Sequence, residues 1–352
     1  MTNDAEVSVS ASNKPARAAN IFDVARLAGV SHQTVSRVLN DLPNVRPATR
    51  QRVEQAITQL RYSPSPAARA LVTRRTRVIG LIAPSTADFG PASIALHFSD
   101  AARDARYGVL SVTSVDAGAA SIRPSIESLL SQRVEAIVLI VADINVLNAA
   151  RSLDVRVPII AVAAGARLGP MTTSIDQYRG ARTAVRHLVE LGHRQIAHLA
   201  GPPSAPDAIE RRRGWRDELA SADLLAQEPG FGDWSAASGY QFGQSLRAEA
   251  MPSAIFAGND QMALGIIAAL KARGLTVPRD VSVIGFDDVP EAAYFDPPLT
   301  TVHQDFATLG ALTMQRVLIA IEEPVSAAEA TPIPTRLVVR SSTARSPEEN
   351  LP

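Results

Sequence analysis

The sequence predicts a small all-α head at the N-terminus, followed by an α/β core of two doubly wound parallel-sheet lobes. Three short helical patterns follow one another between Ile21 and Tyr62. From Val78 onward, short apolar runs alternate with helix-length amphipathic segments, a pattern that favours parallel sheets covered on both faces. The core of about 270 residues exceeds one such sheet, so we expect two lobes with a cleft between them.

The expected strands are rich in Val, Ile and Ala, and they cover Val78–Ala83, Val109–Val115, Ala136–Val141, Pro158–Ala163, Gln195–Ala200, Ala254–Ala257 and Val281–Phe286. Residues 1–19 have no apolar period and are predicted to be a disordered tail. The head is expected over 20–63, a Pro-punctuated linker over 64–77, and a short tail over 346–352.

Composition excludes several classes of protein. The 352 residues include no cysteine, so disulfide frameworks, thiolate nucleophiles and zinc-thiolate sites are excluded. No leader of the export type opens the chain, and no apolar run approaches the roughly 20 residues that span a bilayer. We therefore expect a cytoplasmic protein without a metal or cofactor.

Formal charge is zero overall but unevenly distributed. Between Arg17 and Arg77 there are eleven arginines and three acidic residues, whereas from Val78 onward there are 23 basic and 30 acidic residues. A basic head on an acidic body is typical of a module that binds a polyanion such as DNA. From charge alone, a solvated basic face is an equally good interpretation.

The segment from Ile21 to residue 40 has the spacing of a helix-turn-helix motif. Gly29 permits a left-handed turn and Ser31 can cap the second helix. The residues expected to face inward are Val24, Ala25, Val30, Val35 and Val38. The outward set near the helix start, where such a helix meets base edges, is His32, Gln33, Ser36 and Arg37.

This head resembles that of the lactose-repressor family, through Asp23-Val-Ala-x-x-Ala-Gly-Val-Ser31 followed by Thr34-Val-Ser-Arg-Val-Leu-Asn40. The resemblance implies that His32 and Gln33 choose the operator, and from side-chain chemistry His32 and Arg37 can donate to guanine acceptors or to phosphate. It also implies that phosphates are held by Thr34, Ser36, Asn40, Thr49 and Arg50. His32 replaces a tyrosine of the family's type member, so the operator sequence does not carry over.

The stretch from Tyr62 to Leu71 is similar to the family's hinge helix. The resemblance implies that Leu71 inserts into the minor groove at the centre of the operator, where an apolar wedge unstacks a base step and bends the duplex. A single leucine on a short helix is usually a packing residue. The position of Leu71 in the motif favours insertion into the minor groove instead.

The resemblance continues through the core, most strongly from Asp176 to Phe306. Matching runs include Asn259-Asp-Gln-Met-Ala-Leu-Gly265 and Val283-Ile-Gly-Phe-Asp-Asp288. The family pattern implies that lobe 1 comprises about 78–176 and 306–333, and lobe 2 about 177–303 and 334–345. The chain departs from the type member of the family at two positions: Ala163 stands where that protein has an aspartate, and Asp207 stands where it has a serine.

Candidate effector residues follow the carboxyl ends of predicted strands, where ligands bind in open α/β sheets. Amides, carboxylates and a forked guanidinium fix hydroxyl groups, and an indole covers the apolar face of a pyranose. Asp207 is a candidate because it replaces the serine of the type member, and Asp88 and Phe89 are candidates from a loop of the first lobe. The family match selects Arg211, Trp234, Asn259, Asp287, Gln304 and Phe306.

These observations predict a homodimeric repressor of carbohydrate-utilisation genes that a sugar or glycoside releases from a palindromic operator. No leucine heptad follows Arg340, so a dimer is expected rather than a tetramer. The alternatives are a corepressor-dependent regulator of the same fold or a solute-binding protein without a DNA function. An enzyme is disfavoured because nucleophile-elbow, zinc-protease and phosphate-loop motifs are all missing.

Overall fold

The computed structural model describes residues 19–39, 42–62, 75–85, 88–114, 122–165, 171–323 and 331–346. The chain divides into two compact units, the head up to Thr76 and the core from Arg77. Asn40, Leu71 and nearly all of the predicted tails and linker lie outside the described residues. No helix in the described part of the chain is long and apolar enough to cross a membrane.

The head has three helices: α1 Ile21–Ala28, α2 His32–Leu39 and α3 Pro47–Gln59. Asn20 caps α1 by accepting from the amide of Phe22 at 2.9 Å, and Gly29 ends that helix with a left-handed φ of 65°. Ser31 Oγ accepts from the Thr34 amide at 3.2 Å at the start of α2. The predicted turn and cap are thus confirmed.

A single apolar cluster holds the three helices together. Val24, Val35 and Val53 are fully buried, one from each helix, and Ala25 and Val38 lie beside them. Four of the five residues predicted to face inward are buried and the fifth, Val30, is partly buried against the cluster.

Lobe 1 contains a five-stranded parallel sheet in the order β2-β1-β3-β4-β5. Its strands are β1 Val78–Pro84, β2 Gly108–Ser114, β3 Ala136–Ile140, β4 Ile159–Val162 and β5 Thr172–Thr173. Helices cover both faces, namely α4 Phe89–Asp104, α5 Ile122–Ser131 and α6 Ile144–Arg151, together with α11 Phe306–Glu322 from late in the chain.

Lobe 2 contains a four-stranded parallel sheet in the order β7-β6-β8-β9. Its strands are β6 Ile196–Ala200, β7 Gly230–Phe231, β8 Ala254–Ala257 and β9 Ser282–Ile284. Its helices are α7 Gln177–Glu190, α8 Pro206–Ser221, α9 Ala236–Ser245 and α10 Asp260–Ala272, with short 3-10 turns at Ala248–Ala250 and Pro290–Tyr294.

The chain passes between the lobes three times. It leaves lobe 1 after β5, returns between β10 Thr301–His303 and α11, and leaves again before β11 Arg336–Val338, which pairs antiparallel with β10. Ile175 and Ile333 form a parallel bridge where two of these passages meet. The limits assigned to the lobes from the sequence remain predictions.

The α/β fold class and all seven predicted strands are confirmed, each strand within two residues of its expected limits. The four additional strands, β5, β7, β10 and β11, contain only two or three residues each. Such short segments carry no alternating or continuous apolar pattern, so the sequence did not predict them.

Candidate functional site

The head exposes one face of α2. His32, Gln33 and Arg37 are exposed, and Thr34 and Ser36 are partly exposed, while the opposite face is buried. The Phe22 ring lies 5.2 Å from the His32 ring and is 58% exposed, so an apolar ring adjoins the residue expected to read a base. Sequence reasoning did not single out Phe22.

The start of α3 presents Thr49 and Arg50 in its first turn, both partly buried. No side chain caps this helix at Arg46. Pro47 at the first position has no amide hydrogen, so the phosphate contact that the resemblance implies at this end of α3 is expected from the side chains of Thr49 and Arg50. The roles assigned to Asn40 and Leu71 stay predictions because those residues are outside the described ranges.

In the core, a cleft lies between the lobes at the carboxyl ends of strands. Six of the nine predicted effector residues line it: Asp88 and Phe89 from lobe 1 with Asp207, Arg211, Trp234 and Asp287 from lobe 2. Sequence reasoning missed the backbone and apolar lining at Gly90, Pro91, Val141, Ala142, Ala205 and Pro206. The space between the lining residues is about 70 Å³, well below the roughly 300 Å³ or more of a typical ligand pocket.

Arg211 is the centre of the cleft floor and is only 3% exposed. Its Nε donates to Gln177 Oε1 at 2.9 Å and its Nη2 to Asp287 Oδ1 at 3.2 Å, while Nη1 donates to the carbonyl of Gly258. The guanidinium lies 3.9 Å from the centre of the Phe286 ring and 5.5 Å from the Trp234 ring. Its position is therefore determined from several sides.

A ring of side chains closes around this arginine. Gln304 Nε2 donates to Asp287 Oδ1 at 2.6 Å, and Gln177 Nε2 donates to Gln304 Oε1 at 2.6 Å. Burial raises the pKa of Asp287 to about 6, opposed by the charge of Arg211. The sequence analysis did not identify Gln177. The sequence shows it only as a polar residue that follows Asp176 in the first turn of a helix.

The three other predicted effector residues lie behind the lining. Gln304 holds Asp287, while the Phe306 ring packs edge-on against Phe89, with the centroids 5.8 Å apart. Asn259 caps α10 and its Nδ2 donates to the carbonyl of Trp234 at 3.0 Å. Their contacts position residues of the cleft.

Asp207 has 40% of its side chain exposed and lies 4.0 Å from Arg211 Nη2. Enclosure by the cleft raises the pKa of Asp207, while Arg211 and the backbone amide of Ala164 favour the charged form. Asp207 therefore lies where lobe 2 faces lobe 1 across the cleft.

The side chains of the adjacent Asp287 and Asp288 point apart. Both have positive φ, 114° and 57°, and Asp288 accepts from Arg340 Nη2 at 2.7 Å and lies 3.0 Å from His303 Nδ1, away from the cleft. The two carboxylates therefore do not form an acid pair. Within the described ranges, no group of three acidic or histidine residues could hold a metal ion.

A helix-turn-helix head joined to a two-lobed core with a polar cleft defines a class of transcription regulators that respond to a small molecule. Residues 20–65 match the family described as bacterial regulatory proteins, lacI family, and residues 185–343 match the periplasmic binding protein-like domain. The chain belongs to the lacI family and is a DNA-binding transcriptional regulator rather than an enzyme.

Similar proteins extend over nearly the whole chain. The lactose operon repressor of Escherichia coli (strain K12) is 35% identical over 85% of this chain and 83% of its own. The transcriptional repressor PurR of Edwardsiella ictaluri is 34% identical over 94% of this chain and 98% of its own. A structure of the lac repressor dimer bound to operator and the anti-inducer ONPF superposes with a TM-score of 0.84 at 33% identity, covering 93% of this chain and all of that one.

Proposed function

We propose that this regulator acts in the cytoplasm as a homodimer that represses carbohydrate-utilisation genes and leaves its palindromic operator when a sugar or glycoside occupies the cleft. The observation that carries the proposal is the floor of the cleft, where Arg211, Asp287 and Gln304 form a buried hydrogen-bonded network beside the Trp234 ring. Carboxylates beside an aromatic face are the groups that bind sugar hydroxyls and a pyranose face.

For the head, the exposed side of α2 supports base reading by His32 and Gln33, and Arg37 lies on the same side. Gln33 can bond adenine in two places, and the others can donate to guanine or phosphate. Backbone contacts are assigned to Thr34, Ser36, Asn40, Thr49 and Arg50, and the minor-groove wedge to Leu71. Two heads in a symmetric dimer then meet half-sites about one helical turn apart.

For the core, Trp234 is assigned to the pyranose face and Asp88, Asp207 and Asp287 to hydroxyl groups. The 70 Å³ of space in the cleft is smaller than a glycoside, so we expect a glycoside to bind with the lobes at a different angle. A ligand that binds one relative orientation of the lobes more tightly than the other by about 2–3 kcal/mol changes the affinity for the operator on the order of 30- to 150-fold.

The alternative response is corepression, in which a ligand strengthens operator binding. The similarity to PurR repressors across 94% of this chain is the observation that keeps it as a candidate. Both responses use the same cleft and the same head. They differ in which relative orientation of the two lobes, ligand-free or ligand-bound, corresponds to the operator-binding state.

The test is operator binding by the full-length protein at fixed salt, using an inverted repeat from its own promoter region. Glucose, galactose, lactose, cellobiose and o-nitrophenyl galactoside are added in turn, with purine bases as candidate corepressors because relatives of this chain regulate sugar or purine metabolism. Loss of binding with a sugar supports the proposal, and binding that requires a purine supports the alternative. A protein that binds no specific sequence contradicts both.

Two variants separate the cleft from the head. Trp234→Ala is expected to bind operator normally and to lose the sugar response because the stacking face is gone. Phe231→Ala is the matched control, since that ring is 49% exposed and outside the cleft lining. Gln33→Ala is expected to lose operator affinity while sugar binding is kept.

A further inference from the structure

The cleft has an excess of negative charge. Among the described residues that line it, three are carboxylates, Asp88, Asp207 and Asp287, and one is a cation, Arg211. A charged ligand entering this low-dielectric space interacts with these groups more strongly than it would in water. The balance of charge therefore bears on which sugars the cleft accepts.

Arg211 has little capacity left for an anionic ligand. Its three nitrogens already donate to Gln177, Gly258 and Asp287, and its charge is matched by the buried Asp287 carboxylate. Only 4% of the side chain is exposed. An arginine binds phosphate by donating two parallel hydrogen bonds from accessible N–H groups, and the buried Arg211 guanidinium does not present such a pair.

The start of α8 at the cleft is also unsuited to an anion. A helix N-terminus attracts phosphate through its free amides and its dipole. Here Pro206 occupies the first position and has no amide hydrogen, and Asp207 follows it with a carboxylate. Since 40% of the Asp207 side chain is exposed, an incoming ligand meets this carboxylate at the start of α8, in addition to the partly exposed Asp88 of lobe 1.

We infer that Asp207 makes the cleft selective for neutral sugars against phosphorylated sugars, an inference that rests on the proposed sugar-binding function. A phosphate group placed in the cleft is repelled by Asp207 and finds no free guanidinium to offset that repulsion. A neutral hydroxyl in the same place donates a hydrogen bond to the carboxylate instead.

Calorimetric titration of the full-length protein tests this inference. The probes are lactose and cellobiose, each compared with its 6-phosphate. The wild-type protein is expected to bind the better neutral disaccharide on the order of 10- to 100-fold more tightly than the phosphorylated form. Asp207→Asn keeps the shape and removes the charge, so it is expected to lower this ratio about tenfold.

Two further variants make the result decisive. Glu210→Gln changes a carboxylate one turn along α8 that bonds Arg213 Nη2 at 2.5 Å and does not line the cleft, so the wild-type ratio is expected. Asp207→Ser, the residue of the family's type member, is a second test if Asp207→Asn fails to fold as judged by circular dichroism.

The outcomes separate the inference from the proposed function. Equal or tighter binding of a phosphorylated sugar by the wild type overturns the inference and leaves sugar binding standing. A wild-type preference that persists in Asp207→Asn and Asp207→Ser also overturns it, because size rather than charge then decides. If neither class of sugar binds, the proposed sugar function fails and the inference fails with it.

Discussion

Gly201→Ala is a change that moves the Trp234 ring without altering any group proposed to bind the ligand. Gly201 directly follows β6, and a Cβ at this position would overlap the Trp234 indole, lying 2.6 Å from its Cε2. The Cζ2 and Cη2 atoms of the indole would lie closer still, and ordinary carbon contacts are about 3.5 Å, so the ring must retreat by more than about 1 Å. Asn259 holds the Trp234 carbonyl at 3.0 Å, so we expect the ring to swing while the backbone stays in place.

The retreat is expected to weaken sugar binding because the indole no longer meets the pyranose face. The lost contact is worth about 1–2 kcal/mol, which corresponds to roughly 5- to 30-fold weaker binding. Calorimetry with the panel sugar that releases the operator measures this change. Tryptophan emission should shift to the red as Trp234 becomes more exposed, since Trp215 is fully buried and serves as a constant background.

The matched control is Gly108→Ala, where the nearest atom to an added Cβ is the Arg77 carbonyl oxygen at 3.9 Å. That variant should bind sugar like the wild type, and both variants should bind operator normally without sugar. If Gly201→Ala keeps wild-type sugar affinity despite a shifted emission, Trp234 does not contact the ligand. An unchanged emission would instead show that the ring is not displaced.

Three further predictions concern the cleft floor and the head. The pKa of Asp287 is raised from 3.8 to about 6 on folding. Protonation of this carboxyl group therefore stabilises the fold fully below about pH 4. This contribution to the free energy of unfolding, on the order of 3 kcal/mol, is lost as the pH rises from about 4 through about 6. Asp287→Asn should flatten this part of the pH profile in urea unfolding, and an unchanged profile would contradict the assignment. Gly29→Ala places a side chain at φ 65° and should destabilise the head by about 1 kcal/mol, seen in calorimetry as a lower melting temperature of the head alone. Gln33→Ala should cost about 1–3 kcal/mol and relax the preference at one operator base pair, whereas Thr49→Ala should weaken binding to all sequences alike; binding to a set of single-base operator variants distinguishes the two.

Much of the site was predictable because the family motif marks positions directly. The match selected Arg211, Trp234 and Asp287, and all three line the cleft. It also selected Asn259 and Phe306, which the structure places behind the lining as positioning residues. A motif records which positions belong to a site, and it does not tell a lining side chain from one that holds it.

The sequence by itself determined the head and the strands of the two sheets. The helix-turn-helix depends on local chemistry, with Gly29 for the turn, Ser31 for the cap and a helical period for the buried valines, so neighbouring residues are sufficient to specify it. The core strands are continuous apolar runs, which hydrophobic burial alone selects.

Only the tertiary structure decided how the cleft floor is built. Gln177, Arg211 and Gln304 come from α7, α8 and the passage between the lobes. Arg211 and Gln304 both donate to the Asp287 carboxylate, and Gln177 joins them by accepting from Arg211 and donating to Gln304. Each is an ordinary polar residue in its own segment. Their hydrogen bonds depend on side chains brought together from distant parts of the chain, and neither local periodicity nor spacing encodes such a convergence.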